Sequence, residues 1–162
     1  MKVSEIMTTE VHTVRPDTPV QEIVRIFRDH AISGVPVVDE KGNLVGIVTE
    51  MDLIRRHARP HAPIYFPVLD ALIPIRPERS YWETVRRILA TTAGDLMTSP
   101  VQTVTPDTDV ADLAALMVDR GVNPVPVLDG GRLVGIVSRT DLLRVIEEFE
   151  MPTETADDAS GE

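Results

Sequence analysis

The chain has 162 residues, 43% of them apolar and 26% charged, and its 16 Lys and Arg against 26 Asp and Glu leave a net charge of −10. That composition supports one compact domain or two small ones and excludes wholesale disorder. There is no apolar run long enough for a membrane span and no basic-then-apolar leader; with no cysteine there is no disulfide framework, thiolate zinc site or catalytic thiol, so the expected location is cytoplasmic.

Ile6-Met7-Thr8-Thr9 opens the first string of elements. A short strand is expected to end at Val14, and a turn follows at Pro16-Asp17. Thr18 then stands as an N-cap, with Pro19 at the first helical position and Gln21 completing a capping box. Val20, Ile23, Val24 and Phe27 recur at i, i+3, i+4 and i+7, which predicts a helix with these four on its inner face. Strands over 35–38 and 44–48, joined by a turn containing Gly42, come next, and a last helix begins at Thr49.

Residues 58–92 interrupt this pattern. They begin with the proline-rich stretch Arg59 to Pro67, continue as the apolar stretch Val68 to Ile75, and reach a capping box at Ser80-Tyr81-Trp82-Glu83 that opens a helix with Tyr81, Val85, Ile88 and Leu89 on one face. Four of the six aromatic residues lie here, so the segment reads as a packed element: against its own chain or a dimer partner, or as a lid or docking surface. His57 and His61 invite a metal reading, but Pro60 between them argues against one helix presenting both.

The first string then recurs. Leu96-Met97-Thr98-Ser99, Thr103-Val104-Thr105-Pro106-Asp107-Thr108 and Val125-Pro126-Val127-Leu128-Asp129 repeat their counterparts at an offset of 90, and Leu133 to Leu142 repeats Leu44 to Leu53 at an offset of 89. Val110, Leu113, Ala114 and Met117 reproduce the helical spacing, which stops near Gly121. Strands follow over 125–128 and 133–137, and a last helix from Ser138. Each copy is too small to be comfortable alone, so the two are expected to pack together. Residues 147–162 hold seven acids and no base, whereas the preceding 146 residues hold 16 bases and 19 acids. The tail reads as disordered, and neither part has the basic excess of a nucleic-acid-binding surface.

The strand-to-helix junctions carry the sharpest local signal. Thr49-Glu50-Met51-Asp52 and Ser138-Arg139-Thr140-Asp141 each place a hydroxyl at a helix start and a carboxylate three residues on. The hydroxyl and the first-turn N–H groups suit a phosphate, and the carboxylate suits the paired hydroxyls of a ribose. The same spacing is also a capping box that starts a helix without a ligand. Arg139 favours a phosphate at the second junction, whereas Glu50 opposes one at the first.

The ordered string Met-Thr, Thr-Val-x-Pro-Asp, Gly-Val-Pro-Val-Val-Asp and Leu-Val-Gly-Ile-Val-Thr-x-x-Asp-Leu resembles the CBS motif, named for cystathionine β-synthase, and the tandem pair resembles a Bateman module. The resemblance implies an α+β fold of two β-α-β-β-α CBS repeats packed about a pseudo-twofold axis. The division is residues 1–57, an insertion over 58–92, residues 93–149 and an acidic tail over 150–162. It implies ribose contacts by Asp52 and Asp141 and hydroxyl contacts by Thr49 and Ser138. The adenine cage maps to Thr13, Val14 and Ile32 to Pro36, with Val35 and Pro36 foremost, and to Thr103, Val104 and Val122 to Pro126, including Val125 and Pro126. In the second copy Asn123-Pro124 replaces Ser33-Gly34, which removes an N–H.

The expected function is therefore a ligand-sensing regulatory module, not an enzyme. It takes an AMP-, ADP- or ATP-like adenosine ligand as effector and has no cofactor or metal. It pairs with a second copy and acts on an unknown regulated protein. The alternative is an interaction or dimerisation scaffold with empty clefts. Arg139 directs phosphorylated ligands to the Ser138/Asp141 site.

Overall fold

The computed structural model describes residues 1–57, 65–68, 71–74, 83, 85, 86 and 88–151. Its elements are α1 (Val3–Ile6), α2 (Val20–His30), β1 (Gly34–Val38), β2 (Leu44–Thr49), α3 (Glu50–His57), β3 (Tyr65–Val68), β4 (Ala71–Pro74), α4 (Ala93–Leu96), α5 (Val110–Arg120), β5 (Val125–Asp129), β6 (Arg132–Val137) and α6 (Arg139–Glu150). The two repeats form the same mixed fold, as the internal sequence match requires.

In each repeat a β-hairpin carries the core. β1 pairs antiparallel with β2, with Val35 opposite Val48 and a break in register between Val37 and Val38. β5 pairs with β6, with Val125 opposite Val137 and the same break between Val127 and Leu128. The expected first strand of each repeat is reduced to one bridged residue. Val14 lies parallel to Val37, and Val104 parallel to Val127; Val14 N–H donates to the Pro36 carbonyl at 3.0 Å and accepts from Val38 N–H at 2.9 Å. Pro16 and Pro106 follow within two residues, and a proline cannot extend such a ladder.

Helix α2 begins one residue later than expected. Its N-cap is Pro19, and the Thr18 hydroxyl accepts from Arg15 N–H at 2.9 Å instead, closing the preceding turn. Its buried stripe is Val20, Ile23 and Phe27, with Ile26 partly buried beside them. Val24, expected on that face, is 48% exposed. The helix therefore turns its Ile26 edge, not its Val24 edge, to the hairpin.

Neither core is built from one repeat alone. Val14, Val20, Ile23, Phe27, Val35, Val37 and Val48 pack with Ala90, Ala93 and Leu96, which precede the second repeat. Val104, Leu113, Met117, Val125, Val127 and Val137 pack with Val3, from the start of the chain. The leading segments of the two repeats are thus exchanged. Thr8 bridges to Ile136 and Thr98 to Ile47, which adds each segment to the edge of the other repeat's second strand.

The strand glycines explain why Met-Thr and Gly recur together. A Cβ on Gly135 would lie 2.6 Å from Met7 Sδ, and one on Gly46 would collide with Met97. Each methionine occupies the space a strand side chain would have taken.

β3 and β4 form a further hairpin with Tyr65 opposite Pro74, where the sequence reading had only an apolar stretch. Residues 83, 85, 86, 88 and 89 are helical, within the helix expected after Ser80. Ser80 to Trp82, most of the proline-rich stretch, His61 and the tail from 152 lie outside the described residues. No helix among the described residues is long and apolar enough to cross a membrane.

A candidate ligand cleft between the repeats

The two junctions fold locally as the spacing requires. Thr49 N–H and Oγ1 donate to Asp52 Oδ2 at 2.8 and 3.0 Å. Ser138 N–H and Oγ donate to Asp141 Oδ2 at 2.7 and 2.8 Å. Both carboxylates therefore clip the start of a helix, and both are buried, Asp52 at 2% and Asp141 at 9% exposure. A buried carboxylate stays ionised only when it is hydrogen-bonded in this way.

Their surroundings differ. Asp141 belongs to the wall of a cleft of about 440 Å³ between the repeats. The second repeat supplies Asn123, Pro124, Ile136, Ser138, Arg139, Thr140, Asp141 and Arg144; the first supplies Thr8, Glu10, Val11, His12, Ala31 to Gly34, and Glu50. Asp141 Oδ2 is spent on the helix start, and its Oδ1 lies 3.8 Å from the Arg144 guanidinium. One oxygen thus builds the helix while the other lies on the cation side. The His12 ring stacks on His30 with centroids 3.8 Å apart.

Of the residues singled out in the sequence, Ser138, Arg139 and Asp141 meet at this cleft. Val14, Val35, Pro36, Val104, Val125 and Pro126 do not line it; they are buried in the cores or the hairpins. Thr13, Thr103 and Val122 lie outside its wall, as do Thr49 and Asp52. Glu50 was read as setting the charge of the other site, yet it lines this cleft together with Arg139. The near-twofold arrangement brings the starts of α3 and α6 to one place, so the opposed charges share a cleft.

The first-turn N–H groups of α6 are less available than the sequence reading supposed. Ser138 N–H is held by Asp141, Asp141 N–H donates to the Ser138 carbonyl at 3.1 Å, and Arg139 N–H donates to Asn123 Oδ1 at 2.8 Å. An anion in this cleft therefore relies on the Arg139 and Arg144 side chains more than on the helix start.

Sequence reasoning missed Glu10, His12, Ala31 and Arg144. The available signal was partial: Arg144 lies one turn beyond Asp141 on the same helix. The segment Glu10 to His12 enters the wall only because the leading segment crosses to the other repeat. Among the described residues no cluster of three or more His, Asp or Glu could hold a metal ion.

The sequence matches the CBS domain profile twice, over residues 3–59 and 93–148. The uncharacterized protein MJ1426 of Methanocaldococcus jannaschii is 32% identical over 154 residues, covering 90% of this chain and 91% of its own length. The solved CBS domain pair of protein MJ0100, in complex with 5′-methylthioadenosine and S-adenosyl-L-methionine, is 26% identical with a TM-score of 0.65, covering 90% of this chain and 99% of that one. The fold is also that of CBSX2, solved in complex with AMP, at a TM-score of 0.73, 24% identity, and coverage of 93% and 98%.

Proposed function

This chain belongs to the CBS domain family as a tandem pair, and from that premise we propose that it is a regulatory module, not a catalyst, that binds an adenosine-containing effector in the Ser138/Asp141 cleft. One observation carries the reading: a cleft of about 440 Å³ between the repeats with a nearly buried aspartate in its wall. That volume falls in the range of small-molecule sites. Asp141 Oδ1 can accept from vicinal ribose hydroxyls while Oδ2 keeps the helix start. Arg139 and Arg144 stand where a phosphate or carboxylate would be neutralised. The adenosyl ligands held by the MJ0100 pair support the chemical class.

Calorimetry and thermal melting with adenosine, 5′-methylthioadenosine, S-adenosylmethionine, AMP, ADP and ATP test the reading. At a hundredfold excess over Kd, a ligand specific for the folded state stabilises it by about 2.7 kcal/mol. Asp141→Asn is expected to abolish that response, and Arg139→Glu to weaken ADP at least tenfold. No response to any of the six supports the scaffold reading, which draws on the internally satisfied N–H groups at the α6 start.

Binding acts on a partner only if it changes a surface the partner reads. The candidate surface is a second copy of the chain. Met51 and Ile54 on α3 and Leu143, Ile146 and Phe149 on α6 are all more than half exposed, a concentration of apolar side chains that favours cover. Sedimentation should show a dimer, and Leu143→Glu with Phe149→Glu should yield monomers; a monomeric parent chain would refute this contact.

A further inference from the structure

We propose that Asn123 couples occupancy of the cleft to the contact between the two repeats, acting as a positioning residue; this rests on the reading of the cleft just given. Its carboxamide faces two ways. The oxygen accepts from Arg139 N–H at 2.8 Å, at the start of α6. The nitrogen points to Ser33 Oγ at 3.5 Å, across the repeat boundary and at the position equivalent to Asn123 itself. Both residues are partly buried and both line the cleft.

The arrangement is not shared by the two repeats. At the start of α3 the matching N–H, that of Glu50, donates to the Ser33 backbone carbonyl at 2.9 Å. A main-chain carbonyl is held by its own strand. In the second repeat a side chain does the same work, and a side chain can swing away. Pro124 packs face to face with Gly34, where any Cβ on Gly34 would collide with it. The Asn123–Ser33 contact therefore lies beside the tightest approach of the two repeats.

A carboxamide is the group that can accept at one end and donate at the other. An anionic group that reaches Arg139 N–H must take the place of Asn123 Oδ1, because that N–H has one hydrogen. Once displaced, the amide loses the anchor that aims its nitrogen at Ser33. An anionic adenosyl ligand thus competes with the inter-repeat contact, whereas uncharged adenosine leaves it in place.

Calorimetric titration with AMP and with adenosine tests this on the full chain. For Asn123→Ala the AMP affinity should rise about three- to tenfold, the worth of one intramolecular hydrogen bond no longer displaced, with adenosine affinity held within about twofold. Ser33→Ala, which leaves the α6 start untouched, should move the AMP affinity the same way by less. The double variant should match Asn123→Ala alone, because the two residues act as one unit. If the parent chain binds both ligands and the AMP-to-adenosine ratio is unchanged in both single variants, the coupling is refuted while the cleft stands. If the parent chain binds neither, the cleft reading fails and takes the coupling with it.

Discussion

Asp141 carries two jobs on two oxygens. Oδ2 receives Ser138 N–H and Oγ, and Oδ1 faces Arg144 at 3.8 Å. Removing the side chain confounds the two, whereas Asn keeps an acceptor for the helix start and loses the charge. Asp141→Ala should therefore lose about 1 kcal/mol of stability by urea unfolding as well as ligand response, and Asp141→Asn the response with a smaller stability cost. A second residue-scale prediction comes from comparing the repeats. Helix α2 ends on Ala31 in the left-handed region at φ 52°, where α5 ends on Gly121 at φ 61°. A Cβ is disfavoured there. Ala31→Gly should raise stability by roughly 0.5–1 kcal/mol, read as a higher melting temperature; a fall would show that the Ala31 methyl supports the cleft wall.

The short helices are held by their caps. Thr92 and Asp95 close a reciprocal box at the start of α4. Hydrogen bonds to the Asp95 carboxylate, chiefly from Thr91 N–H and then from Thr92, hold its pKa below the usual aspartate value. A folded pKa below the unfolded one means that this contribution is complete above the unfolded value, about 3.9, and drains away as pH falls through the folded one. Asp95→Ala should thus be less stable than the parent at pH 7, with the gap closing in urea titrations as pH drops below about 4; a constant gap would refute this account. The methionine knobs give a steric test. Gly46→Ala forces Met97 aside and Gly135→Ala displaces Met7, so each should cost about 1–3 kcal/mol. Met97→Ala in the Gly46→Ala background should recover part of it.

The whole molecule is interlocked by exchange. Val3 is fully buried in the second repeat's core, while Ala93 and Leu96 complete the first. Neither repeat as delimited by sequence owns a complete core. Deleting residues 1–8 should therefore destabilise the distant second repeat more than the first, with amide exchange rising first in β5 and β6. Preferential loss of β1 and β2 would contradict the exchanged packing. The same crossing places Glu10 to His12 in the cleft wall and brings Glu50 of one repeat beside Arg139 of the other, so the cleft exists only when both repeats are folded.

Local chemistry was legible in the amino-acid order. The two-residue and 3.6-residue periods, the hydroxyl-to-aspartate spacing at Thr49/Asp52 and Ser138/Asp141, and the duplication itself specify hairpins, helices and clipped helix starts, because each depends on neighbours within a turn or a hairpin. The face of α2 was misjudged at Val24, because two apolar edges offer the same period and only the packed hairpin chooses between them. Which repeat each leading segment completes, and which side chains share the cleft, depend on contacts some 90 residues apart in chain order. Identical repeats encode the same local preferences whether they pack on themselves or on each other, so the exchange, and with it the pairing of Asn123 with Ser33 and of Glu50 with Arg139, was decided by the tertiary structure alone.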